Sequence, residues 1–368
     1  MRIAVLQDYL RSGGTERQSI LLAGRFAAPG HDSLLVTFRP GGRLRPPEGC
    51  AHRVLQPFDT GLDWFGPGLM EAVLGDRDIV LCMGKTANLF AGRIQRRARS
   101  WGRRTRVVAT LRAGNRLPGL YYSSVRRASH LVTNSREAAD ELVSRHGLEP
   151  AKVSVIRNSL VFADPGGGRD EALRRSLGAG PASTVLLSVA MFRPEKNQRF
   201  LLEMAAGLPR DLDWRLWLAG EGPARAGCER RAAELGLGGR VRFLGFQEDP
   251  GPLYRAADVA VHASREEALS NFLIEAQAHG LPAVACRALG IRECFVEGRT
   301  GWMLEHGDLA AFRAAVARLA GEPAASRAAR SAEAAEFARG AFDPQRQAGK
   351  YISLFDSLLG EGDIPSEP

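Results

Sequence analysis

Two glutamates eight positions apart, Glu267 and Glu275, stand in the segment SREEALSNFLIEA, Ser264 to Ala276. Between them Ser270-Asn271 forms a small polar turn that opens an apolar helix, with Asn271 as the expected N-cap. A capping-box glutamate would then fall at position 274, which is Ile274, so Glu275 misses that structural role. It sits in the first turn or so, where a carboxylate also favours the helix dipole, and this bland role competes with ligand binding. The backbone N–H groups of the neighbouring loop and helix start can seat an anion. A sugar diphosphate placed there would leave both carboxylates to accept hydrogen bonds from hydroxyl groups.

A cationic pair could serve the same ligand. Arg193 and Lys196 occur in FRPEKNQ, just past an expected strand, where they can clamp phosphate oxygens; the alternative is an exposed loop before a helix. Lysine is scarce, only Lys85, Lys152, Lys196 and Lys350, whereas arginine is abundant throughout. Gly220 in LAGEGP and Leu244 in VRFLGF also follow strands, where small residues and open backbone groups allow close packing or contact with a flat base. Near the start, RSGGTERQ places Gly13 and Gly14 between a strand and a helix, with Thr15 as expected N-cap. It lacks the G-x-G-x-x-G spacing, and Glu16 falls where a pyrophosphate would be repelled. A simple tight turn and an anion-contacting loop both fit it. The two D-x-D matches, Asp76–Asp78 and Asp211–Asp213, precede strands and so read as turn residues rather than metal ligands.

The elements that must hold these residues alternate from end to end, the pattern of parallel sheets covered by helices. Strands are expected at Arg2–Leu6, Ser33–Thr37, Asp78–Met83, Arg106–Leu111, His130–Thr133 and Val153–Ile156, then at Thr184–Ala190, Arg215–Ala219, Val241–Leu244, Val259–His262 and Ala283–Ala285. Helices between them include Glu16–Ala28, Thr86–Arg97, Arg136–Arg145, Asn197–Ala206, Pro223–Leu235, Gly251–Ala256 and Phe272–His279, with a long amphipathic one over Phe342–Leu359. The Gly- and Pro-rich stretch Ala163 to Ser183 reads as a connector. This divides the 368 residues into domains at 1–165 and 181–340, with 341–368 as a terminal helix. Ligands of such doubly wound sheets bind beyond the carboxyl ends of the strands, where the motifs lie.

Composition narrows the class. An apolar content of 45% and a charged content of 25% fit a soluble globular protein, and no apolar run reaches membrane-spanning length. The N-terminus is too short and polar for a signal peptide, and five dispersed cysteines without C-x-x-C fit a reducing cytoplasm. Net charge is +9. In the arginine run Arg93 to Arg106, Phe90, Ile94, Ala98 and Trp101 recur at helical spacing. That stripe either packs on a sheet or docks on an anionic membrane surface. Nucleic acid is disfavoured, because aromatics do not interleave with the charges.

Taken together, the motifs resemble those of the retaining GT-B glycosyltransferases of family 4, the group 1 glycosyltransferases. GGTERQ, VTNSREAADELVSRHG, VIRNSL, FRPEKNQ, LAGEGP, FLGF, AADVAVHASREEALSNFLIEAQAHGLPAVA and GRTGWML follow in that family's order over nearly the whole chain. Glu267 and Glu275 form its E-x7-E element, with Ala268 where glycine is usual.

The resemblance implies two Rossmann-like doubly wound domains facing a cleft: an acceptor-side domain, a nucleotide-sugar donor domain, and a C-terminal helix crossing back to the first. It implies transfer of a hexose-type sugar, from a UDP-sugar by family frequency, to a glycan, lipid-linked or small-molecule acceptor, with retention and without a metal or other cofactor. Glu275 would hold the ribose and Glu267 the hexose hydroxyls. The N–H groups of 269–272, with Lys196 and Arg193, would hold the diphosphate, and Gly13 and Gly14 would close on donor or acceptor. Arg112 and Thr15 are weaker acceptor-side candidates. Two departures stand out: Met191 replaces the family arginine five residues before Lys196, and Cys82-Met83-Gly84 stands where many members carry a histidine. They keep open a catalytically silent nucleotide-sugar-binding protein. Paired carboxylates keep open a hydrolase or phosphorylase on the same scaffold. The expected location is cytoplasmic, or peripheral at the inner membrane face.

Overall fold

A computed structural model describes residues 1–11, 13–27, 30–56, 75–112, 119–162 and 168–360. The chain divides into two compact units, Met1–Leu160 with Asp343–Pro368, and Val161–Phe342. Each is an α/β unit of the Rossmann type, built on an all-parallel sheet.

In the first unit the strands are β1 Arg2–Gln7, β2 Asp32–Thr37, β3 Ala51–Val54, β4 Ile79–Cys82, β5 Arg106–Leu111, β6 His130–Thr133 and β7 Val153–Val155. Their order is β3-β2-β1-β4-β5-β6-β7, so the direction of winding reverses between β1 and β4. Alternation along β1 sends Ala4 and Leu6 to a core beneath the helix Lys85–Ser100 and Ile3 and Val5 to a core on the other face. The second face is closed by Gly14–Phe26 and by the C-terminal helix Pro344–Gly360. There Phe26 meets Tyr351 and Phe355 edge-on at ring distances of 6.0 and 5.7 Å, which fixes the last helix to this unit.

The second unit holds β8 Thr184–Val189, β9 Trp214–Ala219, β10 Val241–Gly245, β11 Val259–His262, β12 Ala283–Cys286 and β13 Gly301–Leu304, in the order β10-β9-β8-β11-β12-β13. Winding reverses between β8 and β11, paired at Val259 with Leu186 and Ala260 with Leu187. The crevice of such a sheet opens where the order reverses, beyond the carboxyl ends of those two strands.

The stretch expected to be a connector is corrected in its second half. Glu171–Ser176 is a helix whose N-cap Asp170 accepts from the Leu173 N–H at 2.9 Å. Within it the Arg174 guanidinium is fully buried, paired with Asp258 at 2.9 Å and bonded to the Ala256 and Ser183 carbonyls. This segment is therefore part of the second unit's core; residues 163–167 lie outside the described residues. The Ala-rich region is a helix, Ala324–Ala341, whose buried Ala334 and Ala338 pack close to the helix Asn271–Ala278.

Candidate active site at the switch point of the second unit

The loops after β8 and β11 meet. The first runs through buried Phe192 and a 3-10 turn, Pro194–Lys196, into Asn197, whose φ of 53° is the only positive value of a non-glycine among the described residues. Asparagine is one of the few side chains that tolerates this conformation. Gln198 closes the loop by donating to the Met191 carbonyl at 3.0 Å. The second loop joins it because the Arg265 N–H and the buried Ser264 hydroxyl both donate to the Glu195 carbonyl, at 2.8 and 3.4 Å. These backbone ties bring side chains 71 positions apart into contact.

Lys196 Nζ lies 2.5 Å from Glu267 Oε1, and His262 Nε2, from the last residue of β11, lies 3.0 Å from the same oxygen. The three side chains are largely out of solvent, with the imidazole the deepest at 3% exposed. Burial pushes the Glu267 carboxyl up, but the hydrogen bond and charge of His262 and then the Lys196 ammonium outweigh it and hold the group down at about 2. Glu267 is thus a carboxylate with both donors on one oxygen. Ala268 follows without strain, since its backbone is outside the left-handed region, so glycine is not required there.

The helix after this loop is Asn271–Ala278, and its N-cap is Ser270, whose hydroxyl accepts from Leu273 N at 3.4 Å. This corrects the expected cap at Asn271 by one residue and moves Glu275 into the second turn, where a dipole role is weaker. Glu275 Oε2 accepts from the Tyr254 hydroxyl at 2.6 Å. Tyr254 is itself buried, with Phe272 and His279 stacked on it at 6.2 and 4.9 Å. The site's two acids therefore stand on firm supports: one braced by a lysine and a histidine, the other by a clamped tyrosine.

The remaining expected residues divide. Leu269 and Phe272 are buried beside the helix start, Arg193 is half-exposed and 3.9 Å from Glu195, and Met191 is 45% exposed. Gly220 (φ 137°) serves packing: a Cβ there would meet the Ala190 carbonyl at 2.0 Å. The Leu244 carbonyl accepts from Gln247 Nε2 at 2.8 Å.

In the first unit, Gly13 rather than Thr15 is the N-cap of Gly14–Phe26, a correction. The Glu16 carboxyl bonds back to the Gly13 and Glu16 N–H groups in capping-box fashion, and burial raises its pKa despite those bonds. Arg112 donates to Asn158 Oδ1 at 2.5 Å and to the Tyr351 hydroxyl at 2.7 Å. Within Cys82-Met83-Gly84, the segment that lacks the histidine, Cys82 and Met83 are buried and a Cβ on Gly84 would sit 2.2 Å from Asp8 Oδ1, so that a side chain there would displace Asp8. The Asp8 carboxylate caps Lys85–Ser100 through the Thr86 and Ala87 N–H groups, each at 3.0 Å.

The apolar stripe of that helix is core: Ile94 and Ala98 are fully buried with Phe90 and Trp101 packed against the cluster. Asp78 and Asp213 directly precede β4 and β9, the ends of those strands away from the crevices. No group of three or more potential metal-binding side chains occurs among the described residues, and no described helix is long and apolar enough to cross a membrane. His262 and Tyr254 were not singled out from sequence. His262 ends a strand and so faces the crevice, a weak signal; Tyr254 has no local one.

Known proteins bear on this geometry. The family description Glycosyltransferase Family 4 matches residues 12–160 and Glycosyl transferases group 1 matches residues 183–322. The lipopolysaccharide core biosynthesis glycosyltransferase LpsE of Rhizobium meliloti is 33% identical over 218 residues, 52% of this chain and 63% of that protein. A D-inositol 3-phosphate glycosyltransferase of Mycobacterium sp. (strain JLS) is 34% identical over 193 residues, 50% of this chain and 43% of that protein. The matched segments thus span from under half to less than two thirds of these relatives. Anabaena Alr3699/HepE, crystallised in complex with UDP, superposes with TM-score 0.80 at 20% identity, over 97% of this chain and all of that one. Sucrose-phosphate synthase from Thermosynechococcus elongatus does so with TM-score 0.76 at 19% identity, over 98% of this chain and all of that one. At such identities these likenesses show the fold, which is GT-B.

Proposed function

The chain belongs to the family 4, group 1 glycosyltransferases, and from that premise we propose that it transfers a hexose-type sugar from a UDP-sugar to a glycan, lipid-linked or small-molecule acceptor, with retention. The observation that carries this is the gathering of Lys196, Glu267 and His262 at the β8/β11 switch point, beside the helix start that presents Glu275. In this reading the second unit takes the donor and the first the acceptor. The N–H groups around Leu269, Ser270, Asn271 and Phe272 and the cations Lys196 and Arg193 stabilise the leaving diphosphate, so that no divalent ion is required. Glu275 takes the ribose hydroxyls and Glu267, through Oε2, those of the hexose. Gly13 and Gly14 approach the donor phosphate or acceptor, and Gly220 and Leu244 shape the base end. The departing phosphate oxygen takes the acceptor proton, since Cys82-Met83-Gly84 offers no histidine as base. Solved relatives bound to UDP and to UDP-glucose support this choice of nucleotide.

The proposed setting is cytoplasmic. Peripheral contact with an anionic membrane would fall to a groove between Lys85–Ser100 and Gly119–Arg126, where Leu89 (39% exposed) and Leu120 (82%) lie among Arg93, Arg96 and Arg127. Thermal unfolding with UDP and UDP-glucose in EDTA tests the donor assignment. A ligand at a hundredfold excess over Kd adds about 2.7 kcal/mol, a clear upward shift in Tm. No shift from either compound would overturn the reading. A shift with UDP-glucose but no transfer to any acceptor and no slow hydrolysis would favour a silent binding protein instead.

A further inference from the structure

The acid proposed to hold the ribose is itself held from the side. Along the helix Asn271–Ala278, Phe272, Glu275 and the closing residue His279 fall at spacings of three and four, so the three share one face. Tyr254 lies along that face. Its buried ring is 6.2 Å from Phe272 at an interplanar angle of 25° and 4.9 Å from His279 at 28°. Its hydroxyl donates to Glu275 Oε2 at 2.6 Å.

The His279 ring is fixed in turn. A carbonyl can only accept, so His279 Nδ1 carries the proton in its 2.8 Å bond to the Glu275 backbone oxygen. Burial holds this imidazole below its ordinary pKa, so at neutral pH it packs on the phenol without charge. Two rings anchored in the helix therefore aim the Tyr254 hydroxyl at a carboxylate of the same helix.

Such bracing has a consequence for recognition. A site rejects a ligand that lacks a hydroxyl when its own acceptor stays in place, because that acceptor is then left unpaired. A carboxylate able to swing finds water or another donor instead, and the discrimination shrinks. Resting on the assignment of Glu275 to the ribose above, we infer that Tyr254 is a positioning residue that makes the donor site selective for ribonucleotides. Its hydroxyl fixes the Glu275 carboxylate, so that a nucleotide without ribose hydroxyls is turned away. Tyr254 acts through Glu275 and not on the nucleotide itself.

Calorimetric titration of the full chain with UDP and with 2′,3′-dideoxy-UDP, which lacks both ribose hydroxyls, tests this. UDP should bind about ten- to hundredfold more tightly, the worth of a hydrogen bond to a charged group. Tyr254→Phe keeps the stacked ring and removes only the hydroxyl, so its far-UV circular dichroism should match that of the unchanged protein. Its affinity for UDP should fall while that for the dideoxy nucleotide holds, shrinking the ratio about fivefold or more, as coupled groups in contact do. Added to Glu275→Ala, where no carboxylate is left to hold, Tyr254→Phe should cost no further UDP affinity. An undiminished ratio in Tyr254→Phe, or a further loss of UDP affinity on the Glu275→Ala background, overturns the positioning role and leaves the donor site standing. Equal affinities for the two nucleotides in the unchanged protein overturn the ribose assignment of Glu275, and an absence of UDP binding overturns the donor reading itself; the inference falls with either.

Discussion

The two units share a plan and differ in what they do with it. In both, winding reverses at the centre of a parallel sheet, between β1 and β4 in one and β8 and β11 in the other. At the first reversal the polar groups are consumed by structure: Asp8 caps one helix, Glu16 caps another, and Gln7 donates to buried Ser19 at 2.9 Å. At the second, Lys196, Glu267 and His262 satisfy one another in a cluster that no helix end needs, and Glu275 stands past the capping positions of its helix. The same topology therefore yields a stabilised rim in one unit and a set of mutually paired charges in the other. Groups paired with each other can be re-paired by a ligand; groups that cap helices cannot be removed without loss of stability.

Substitutions can break this contrast. Lys196→Ala should lower turnover by about 10²–10³, the scale on which a donor to developing charge acts, with the fold retained by circular dichroism. Glu275→Gln should weaken UDP-glucose binding by about 1.5–3 kcal/mol, the worth of a hydrogen bond to a charged group, read by calorimetry. Acid sharpens the same picture. Glu267 is held at about 2 in the folded chain against an ordinary 4.5, so its ionised form adds stability above the unfolded value. That contribution should fade as pH falls from 4.5 through 2, and Glu267→Gln should flatten this part of the stability–pH curve. The smallest effect is expected at the first reversal: Asp8→Asn should cost roughly 1 kcal/mol through the weakened cap and leave UDP-glucose affinity unchanged. A loss of affinity there would undo the contrast.

Much of the fold was legible because buried parallel strands announce themselves as short apolar runs; β1, β5, β6 and β11 stand within a residue of where the sequence puts them. β3 escaped because Ala51–Val54 is exposed along its length and so carries no burial pattern. The helix Glu171–Ser176 was masked by flanking glycines, and its key contact, Arg174 with Asp258, spans 84 positions. The site was legible where motif and strand end coincide, at Lys196, Glu267 and Glu275. It was not legible where tertiary structure makes the partnership: Tyr254 reaches Glu275 from a helix 21 positions earlier. The cap slipped from Asn271 to Ser270 because serine and asparagine cap equally well, and only the backbone chooses.

The central claim is one of place, and a crystal structure with UDP-glucose bound tests it most directly. The account predicts the uridine ribose on Glu275, the diphosphate over the start of Asn271–Ala278 with Lys196 against it, and the glucose hydroxyls on Glu267. Nucleotide density at the β1/β4 reversal of the first unit, or in the second unit with Glu275 and Lys196 untouched, would contradict it.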